Sequence, residues 1–329
     1  MRLLAGLIGD SPGLVALRNQ IGQFLRRQSG PRRLPPVLIL GETGTGKGLL
    51  AKAIHDEGPR AAGPFVAINC AAIPETLLEA ELFGFEQGAF TDARHAKAGL
   101  FQTANRGTLF LDEIGLLPQS LQTKLLTVLE DRTVRRLGST RTEPADVWII
   151  SATSEDLKAG GRRRGFREEL YHRLAVVTLH LPPLRERGRD ILTLAEHFLA
   201  RTCSDYGLAP KTLAEDARAA LLTYRWPGNV RELGNVMERA ALLVEGPLVR
   251  ADSLGLAIPR ERRTVPQQDG GTTASNAPAG VSLGQTVQEL ERRRILEALR
   301  DTRWNISRAA TRLGVTRNIL RYQIGRAHV

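Results

Sequence analysis

From Leu7 onward, short and continuously apolar runs alternate with longer stretches of helical periodicity. Apolar runs of this kind are typical of strands buried on both faces, and their alternation with helices is typical of βα units that build a parallel sheet. The predicted strands are Val37–Leu40, Phe65–Asn69, Thr108–Leu111, Val147–Ser151 and Val176–Leu181. The pattern therefore predicts an α/β fold.

After Pro182–Arg187 the strand pattern stops, and we expect no further strands. Helical spacing of apolar residues predicts three helices, Ile191–Cys203, Ala214–Tyr224 and Asn229–Val244. A stretch rich in Pro, Gly, Ser and Thr then predicts a flexible linker, and helical periodicity returns beyond it. The expected parts are an α/β core (1–182), a helical subdomain (183–257), the linker (258–282) and a small all-α domain (283–329).

Charge changes this picture in one place, the end of the chain. Lys and Arg number 46 against 35 Asp and Glu, a net charge of +11, and no acidic residue follows Asp301. A concentrated basic segment indicates a polyanionic partner. The two cysteines, Cys70 and Cys203, are too few for a disulfide framework and are expected to be buried in a protein of the reducing cytoplasm. No apolar run approaches the ~18 residues of a membrane span, so no membrane partner is expected.

A glycine-rich loop, GETGTGKG, lies between a predicted strand and a predicted helix. In this context the backbone N–H groups of such a loop surround nucleotide phosphates, and its lysine reaches the outer phosphates. The strict motif has Ser or Thr after the lysine, where this chain has Gly48, so no hydroxyl there can bind Mg²⁺. The alternative is a simple glycine-rich turn. The predicted nucleotide-binding residues are Gly41, Glu42, Thr43, Gly44, Thr45, Gly46, Lys47 and Gly48.

Two carboxylates end the third predicted strand, in TLFLDE. Beside a phosphate loop, Asp112 is expected to hold the metal Mg²⁺, and Glu113 to orient or deprotonate the attacking water. The alternative is a pair of acids at an ordinary solvated strand end.

The basic tail contains a helix–turn–helix pattern, Trp304–Ile324. Asn305 and Thr316 can cap the two helices, and Gly314 ends the first. The second helix would carry the DNA-binding residues Arg317, Asn318, Arg321 and Tyr322 into the major groove of double-stranded DNA. The alternative is a basic helical hairpin that packs against the body of the chain.

Several further segments, in order along the chain, resemble the AAA+ ATPases that activate transcription by the sigma-54 form of bacterial RNA polymerase. They are Glu81–Ala93, Gly107–Ile114, Phe166–Leu174, Leu181–Ile191 and Trp226–Leu233. The tail is similar to the Fis-type domain of these activators, in which Leu283–Arg300 would be a dimerising helix. The resemblance implies an AAA+ P-loop parallel sheet, a helical lid and a helix-turn-helix DNA-binding domain.

The resemblance also implies roles for single residues. The segment GAFTDA matches the loop that contacts sigma-54, normally GAFTGA, so that Asp92 replaces a glycine and either stiffens the loop or tunes it to one partner. Its members are Gly88, Ala89, Phe90, Thr91, Asp92 and Ala93. In the alternative, this is an ordinary loop with Phe90 in the core.

Arginines and an asparagine complete the implied catalytic set. Arg167 and Arg173 match arginine fingers that act on a neighbouring subunit's nucleotide, and Arg231 matches the lid arginine that senses it. Asn69 matches the asparagine that holds the catalytic glutamate inactive. Ser154 stands where the family often has an asparagine. The alternatives are surface arginines and an asparagine that only ends a strand.

Together these features imply an activator that binds upstream enhancer DNA and uses ATP hydrolysis with Mg²⁺ to convert the sigma-54 RNA polymerase closed complex to the open complex. Fingers that act in trans imply a homo-oligomeric ring, usually a hexamer. Because few residues precede the ATPase signature, control is expected from a separate regulatory protein or a paralogue acting in trans. Two alternatives stay open: a DNA-binding regulator that no longer contacts sigma-54, and a general AAA+ protein remodeller.

Overall fold

The computed structural model describes residues 6–28, 34–90, 93–155, 157, 165–256 and 302. In chain order the strands are β1 (Val37–Leu40), β2 (Phe65–Asn69), β3 (Gly84–Phe85), β4 (Lys97–Ala98), β5 (Thr108–Asp112), β6 (Thr133–Arg135), β7 (Thr142–Pro144), β8 (Trp148–Thr153), β9 (Val177–His180), β10 (Thr212–Leu213) and β11 (Leu248–Val249). The helices are α1 (Pro12–Arg27), α2 (Lys47–Asp56), α3 (Glu75–Phe83), α4 (Leu100–Thr103), α5 (Gln119–Asp131), α6 (Glu168–Leu174), α7 (Asp190–Asp205), α8 (Glu215–Thr223) and α9 (Asn229–Leu243).

Five parallel strands form the central sheet, in the order β2-β5-β8-β1-β9. Its middle strand, β8, is buried along its whole length, and Leu38 and Ile39 of β1 are inaccessible to solvent. Burial on both faces explains why these strands are continuously apolar in sequence. The predicted α/β class and each of the predicted strands of the sheet are confirmed.

The sheet order places one loop at a special position. The chain leaves β1, passes through residues 41–46 and enters α2 at Lys47. In the sheet, β1 lies between β8 and β9. The chain leaves β1 toward β2 on one side and leaves β8 toward β9 on the other, so the two connections diverge at the carboxyl ends of these neighbouring strands. Ligands of open α/β sheets bind in the crevice at such a switch point.

The helical subdomain follows the sheet and has its own apolar core. The described helices α7, α8 and α9 surround buried Leu199, Leu221, Trp226 and Met237, as the helical periodicity predicts. The expectation of no strands after Arg187 is wrong, because β10 pairs with β11. Each of these strands has only two residues, too few to show an alternating pattern in sequence.

Both cysteines are buried, as predicted, Cys70 in the core of the sheet region and Cys203 in the core of the helical subdomain. Burial raises the pKa of the Cys70 thiol to about 12. None of the helices in the described ranges combines the length and apolar character needed to span a bilayer. The predicted linker and helix-turn-helix lie outside the described residues, apart from Thr302, and the domain boundaries stay predictions.

Candidate active site

The phosphate loop is shaped by two glycines in the left-handed region of backbone space. Gly44 has φ 81° and Gly46 has φ 105°, angles that L side chains rarely adopt. A Cβ on Gly44 would also lie 2.3 Å from the carbonyl oxygen of Gly228. Helix α2 begins directly after the loop, so the positive end of its dipole faces the same space. This local geometry suits an anion such as a phosphate group.

Lys47 is the first residue of α2, and its side chain is almost fully buried. Its Nζ donates hydrogen bonds to the carbonyl oxygens of Gly41 at 3.0 Å and Glu42 at 3.4 Å. The same ammonium lies 3.4 Å from Glu113 Oε1. The cation is therefore positioned between the phosphate loop and the Glu113 carboxylate, which follows β5.

The two carboxylates occupy different environments. Asp112 ends β5, and burial, reinforced by the negative charge of Glu113, raises the pKa of its carboxyl group. Glu113 adopts a left-handed conformation with φ 51°, an unusual backbone for a non-glycine residue and one that clusters at functional sites. Its Oε2 accepts hydrogen bonds from the N–H and the hydroxyl of Ser154, at 3.2 and 3.0 Å. Ser154 thus holds Glu113.

Asn69 does not hold Glu113 in this structure. It lies beside Asp112 in the register of β2 and β5, but its Oδ1 accepts a hydrogen bond from the N–H of Ala71 at 2.8 Å. The structure therefore shows no hydrogen bond between Asn69 and Glu113, the pair that the resemblance implies. Sequence reasoning treated Ser154 only as a departure from the usual asparagine, and its contact with Glu113 depends on the ends of β5 and β8 being neighbours.

An open pocket of about 900 Å³ joins the phosphate loop to the lid helices α7 and α9. Most of the predicted nucleotide-binding residues line it. They are Thr43, Gly44, Gly46, Lys47, Gly48, Asp112 and Arg231, together with Asn69 and Glu113. The lid side adds Phe198, Arg201, Tyr206 and Asn235, which sequence reasoning did not identify. Phe198, Arg201 and Asn235 lie on ordinary amphipathic helices and Tyr206 directly follows α7, so none of them belongs to a local motif.

Three predicted nucleotide-binding residues do not line this pocket. Gly41 is packed against the backbone, because a Cβ there would lie 2.8 Å from the carbonyl oxygen of Leu181. Thr45 donates its hydroxyl to the Glu42 carbonyl at 2.7 Å. The Glu42 carboxylate is directed to the lid. Hydrogen bonds there, the larger contribution from Arg185 and the smaller from Asn229, lower its pKa to about 2.

The donor set near the loop fits a Mg²⁺ ion that is held mainly by phosphates. Asp112 presents a carboxylate to the pocket, and protein-bound Mg²⁺ commonly uses one or two carboxylates plus substrate phosphates. Gly48 offers no hydroxyl, although a Cβ there would only make ordinary contact with Phe110 at 3.7 Å. Within the described ranges no group of three or more His, Cys, Asp or Glu side chains could hold a metal by itself.

Arg167 and Arg173 lie outside this pocket. Arg167 Nη1 donates to Thr123 Oγ1 at 3.0 Å, and Arg173 Nη2 lies 2.9 Å from Glu130 Oε1. About half of each side chain is exposed. Neither arginine reaches the nucleotide pocket of its own chain, so any role at a nucleotide requires a second copy.

Two backbone hydrogen bonds connect described residues of the segment between β3 and β4. The N–H of Gly88 donates to the carbonyl of Ala93, and the N–H of Ala93 donates to the carbonyl of Phe90, both at 2.9 Å. The Phe90 ring is 45% exposed and rests on Phe85, with ring centroids 4.8 Å apart. Phe90 is therefore on the surface and not in the core. Thr91 and Asp92 lie outside the described residues.

Comparison with known families assigns three consecutive regions. The Sigma-54 interaction domain matches residues 7–180, the AAA+ ATPase lid domain matches residues 185–270, and the family "Bacterial regulatory protein, Fis family" matches residues 286–326. The third match contains the whole of the predicted helix-turn-helix, Trp304–Ile324.

Individual relatives agree with this order. The response regulator protein PilR of Pseudomonas aeruginosa is 45% identical, over 97% of this chain and 68% of PilR. The sigma54-dependent transcriptional activator SfnR of Pseudomonas putida is also 45% identical, over 88% of this chain and 80% of SfnR. The crystal structure of NtrX from Brucella abortus in complex with ATP is 33% identical, with a TM-score of 0.68 over 98% of this chain and 70% of that chain. The chain therefore belongs to the sigma-54-dependent transcriptional activators, in which a sigma-54 interaction domain of the AAA+ ATPase class is followed by a lid and a Fis-type helix-turn-helix.

Proposed function

We propose that this chain hydrolyses ATP, and that the hydrolysis cycle drives remodelling of the sigma-54 RNA polymerase closed complex into the open complex from upstream enhancer DNA. The observation that carries the proposal is the convergence of Lys47, Asp112, Glu113 and Arg231 on one pocket at the carboxyl edge of the sheet. That pocket is bounded by both the sheet region and the lid, so a nucleotide there would contact both.

Each polar group has a role in the reaction of ATP and water to ADP and phosphate. The loop N–H groups and Lys47 bind the phosphates, and Asp112 would hold Mg²⁺, which when bound neutralises charge on the β- and γ-phosphate oxygens. Glu113 orients the attacking water and accepts its proton. Because Lys47 contacts Glu113 directly, a phosphate that attracts Lys47 would weaken the ion pair between Lys47 and Glu113.

The exposure of Arg167 and Arg173 supports a homo-oligomeric ring, hexameric in the family that the chain resembles. Both side chains lie outside their own pocket and are accessible to a neighbouring copy. Arginine fingers of this kind stabilise transition-state charge and contribute about 10³ to 10⁵ in rate. A ring therefore gives each site the charge that a single copy lacks.

The contact with sigma-54 is assigned to Gly88–Ala93. The exposed Phe90 lies in this segment, close to the connection between β6 and β7, where the carbonyl of Leu137 accepts the N–H of Glu86. A supported apolar side chain on a surface segment suits protein contact. DNA binding is assigned to Arg317, Asn318, Arg321 and Tyr322 of the Fis-type region.

ATP turnover and open-complex formation on supercoiled DNA with sigma-54 polymerase test the proposal. Lys47→Ala is expected to abolish both. Lys52→Ala is the matched control, because Lys52 lies on the same helix but pairs with Asp56 in solvent. Open complexes that persist with Lys47→Ala would refute a motor function. ATP turnover without open complexes, by the unaltered chain, would favour a regulator that no longer contacts sigma-54.

A further inference from the structure

Three consecutive carbonyl groups of the phosphate loop accept hydrogen bonds from the lid region. Asn229 Nδ2 donates to the carbonyl of Thr43 at 3.1 Å, and the N–H of Arg231 donates to that of Gly44 at 3.2 Å. Arg187 Nη2 donates to the carbonyl of Thr45 at 3.0 Å. The outer side of the loop is therefore fastened residue by residue to the segment that begins the lid and to the start of α9.

This fastening determines which way the loop N–H groups point. In a planar trans peptide the C=O of one residue and the N–H of the next point in opposite directions. Holding the Thr43 and Thr45 carbonyls toward the lid region thus directs the N–H groups of Gly44 and Gly46 to the other side. Both glycines line the pocket. The lid contacts therefore orient the donors that a phosphate needs.

Asn229 is the centre of these contacts. Its side chain is completely buried, and its backbone is left-handed with φ 51°. Its Oδ1 accepts the N–H of Leu184 at 2.8 Å, a bond that only the oxygen end of the amide can accept. The amide orientation is therefore fixed, and Nδ2 must face Thr43 and Glu42.

Glu42 completes the arrangement from the loop side. Its two carboxylate oxygens accept a forked pair of hydrogen bonds from Arg185, at 2.8 and 2.6 Å, and Oε2 also accepts Asn229 Nδ2 at 3.0 Å. Such charge-assisted, bidentate pairs are the strong and directional ones. The side chain has no contact with the pocket.

We infer that Glu42 and Asn229 are positioning residues, which set the phosphate loop for nucleotide by tying its outer side to the lid. They act through the loop backbone and do not touch the nucleotide. The inference rests on the proposed function, in that it requires the loop to bind ATP. It predicts that breaking the Glu42–Asn229 contact weakens MgATP binding and raises KM more than it lowers kcat.

A pair of isosteric substitutions tests this in the full chain. Asn229→Asp keeps the oxygen that accepts the Leu184 N–H but replaces the Nδ2 donor with an oxygen facing Glu42. We expect a loss in MgATP affinity of about tenfold or more, which is 1.4 kcal/mol per tenfold. Adding Glu42→Gln removes the repulsion between the two carboxylates and supplies an amide donor to position 229, but the Thr43 carbonyl still lacks its donor and Arg185 keeps only one acceptor. The double variant is therefore expected to recover part of that loss. Glu42→Gln alone, at a position where the side chain is 42% exposed, is expected to weaken binding less.

Glu186→Gln is the matched control, since Glu186 lies 3.9 Å from Arg185 but is exposed and has no contact with the loop. The readouts are the MgATP Kd, KM, kcat and the thermal midpoint. If Asn229→Asp has the wild-type Kd and KM, the inference alone is overturned. The same holds if its losses follow the thermal midpoint and the double variant does not recover any of them. A wild-type chain that fails to bind MgATP at all would overturn the proposed function and this inference with it.

Discussion

The two sides of the phosphate loop differ in how their charged groups are paired. On the lid side, the Glu42 carboxylate is matched by Arg185 and Asn229, and hydrogen bonding lowers its pKa to about 2. On the pocket side, burial and the charge of Glu113 raise the pKa of Asp112. Two acids near one loop therefore have pKa values shifted in opposite directions.

The difference separates groups that hold the structure from groups that are available to a ligand. A carboxylate whose oxygens are all paired stabilises the folded chain in its charged form. A carboxylate that is partly buried beside another carboxylate is unfavourable in its charged form, and such groups cluster at functional sites because a cation or substrate relieves them.

Glu113→Gln, on the pocket side, should have the largest effect. Removing the base is expected to lower kcat by about 10²–10⁴, because a positioned general base contributes that much. MgATP binding should be retained, since Gln keeps an oxygen for Ser154. Steady-state turnover and equilibrium binding measure the two quantities, with Glu81→Gln, an exposed partner of Lys97, as the control. Unchanged turnover would remove Glu113 from the mechanism.

Asn229→Ala, on the lid side, should mainly affect stability. The change leaves the buried Leu184 N–H and the Thr43 carbonyl without this partner and places alanine at a left-handed backbone, so the free energy of unfolding is expected to fall by about 1–3 kcal/mol. Chemical denaturation measures it. Asn235→Ala, exposed on the same helix, should change stability by no more than about 0.5 kcal/mol. Equal losses at both positions would contradict the comparison.

The Glu42 pairing should show a pH dependence of stability. Its pKa is lowered from 4.5 to about 2, so its stabilising effect is complete above 4.5 and is lost as the pH falls toward 2. The stability difference between wild type and Glu42→Gln should therefore be largest near neutral pH and shrink in acid. Denaturation midpoints across that range measure it, and a difference that grows in acid would have the wrong sign.

Asp112→Asn should give the smallest change in stability, and in the opposite direction. Because the raised pKa means that the folded state disfavours the ionised carboxylate, the neutral amide is expected to raise the thermal midpoint at neutral pH by a few degrees. The gain should disappear as the pH falls below the ordinary pKa of 3.8. ATP turnover should fall at the same time. A lowered thermal midpoint would show that Asp112 is structurally stabilising.

Much of the fold and part of the site follow from the sequence alone, for local reasons. Strands buried on both faces must be continuously apolar, so the five strands of the sheet are visible as runs. The phosphate loop is equally visible, because its glycines, Lys47 and the start of α2 are consecutive residues. Asp112 and Glu113 are visible because they end an apolar strand. The Fis-type tail is detectable because its charge and turn signals are local.

Only the tertiary structure decided the direction of individual side chains. Glu42 belongs to the loop motif, yet its carboxylate contacts Arg185 and Asn229, which are 143 and 187 positions away. Ser154 reaches Glu113 because β8 and β5 are neighbours in the sheet, an order that spacing along the chain does not reveal. Strands β10 and β11 likewise exist through their pairing and have no pattern of their own. Contacts of this kind depend on packing between distant segments, because a local sequence pattern specifies a residue's conformation but not its partner.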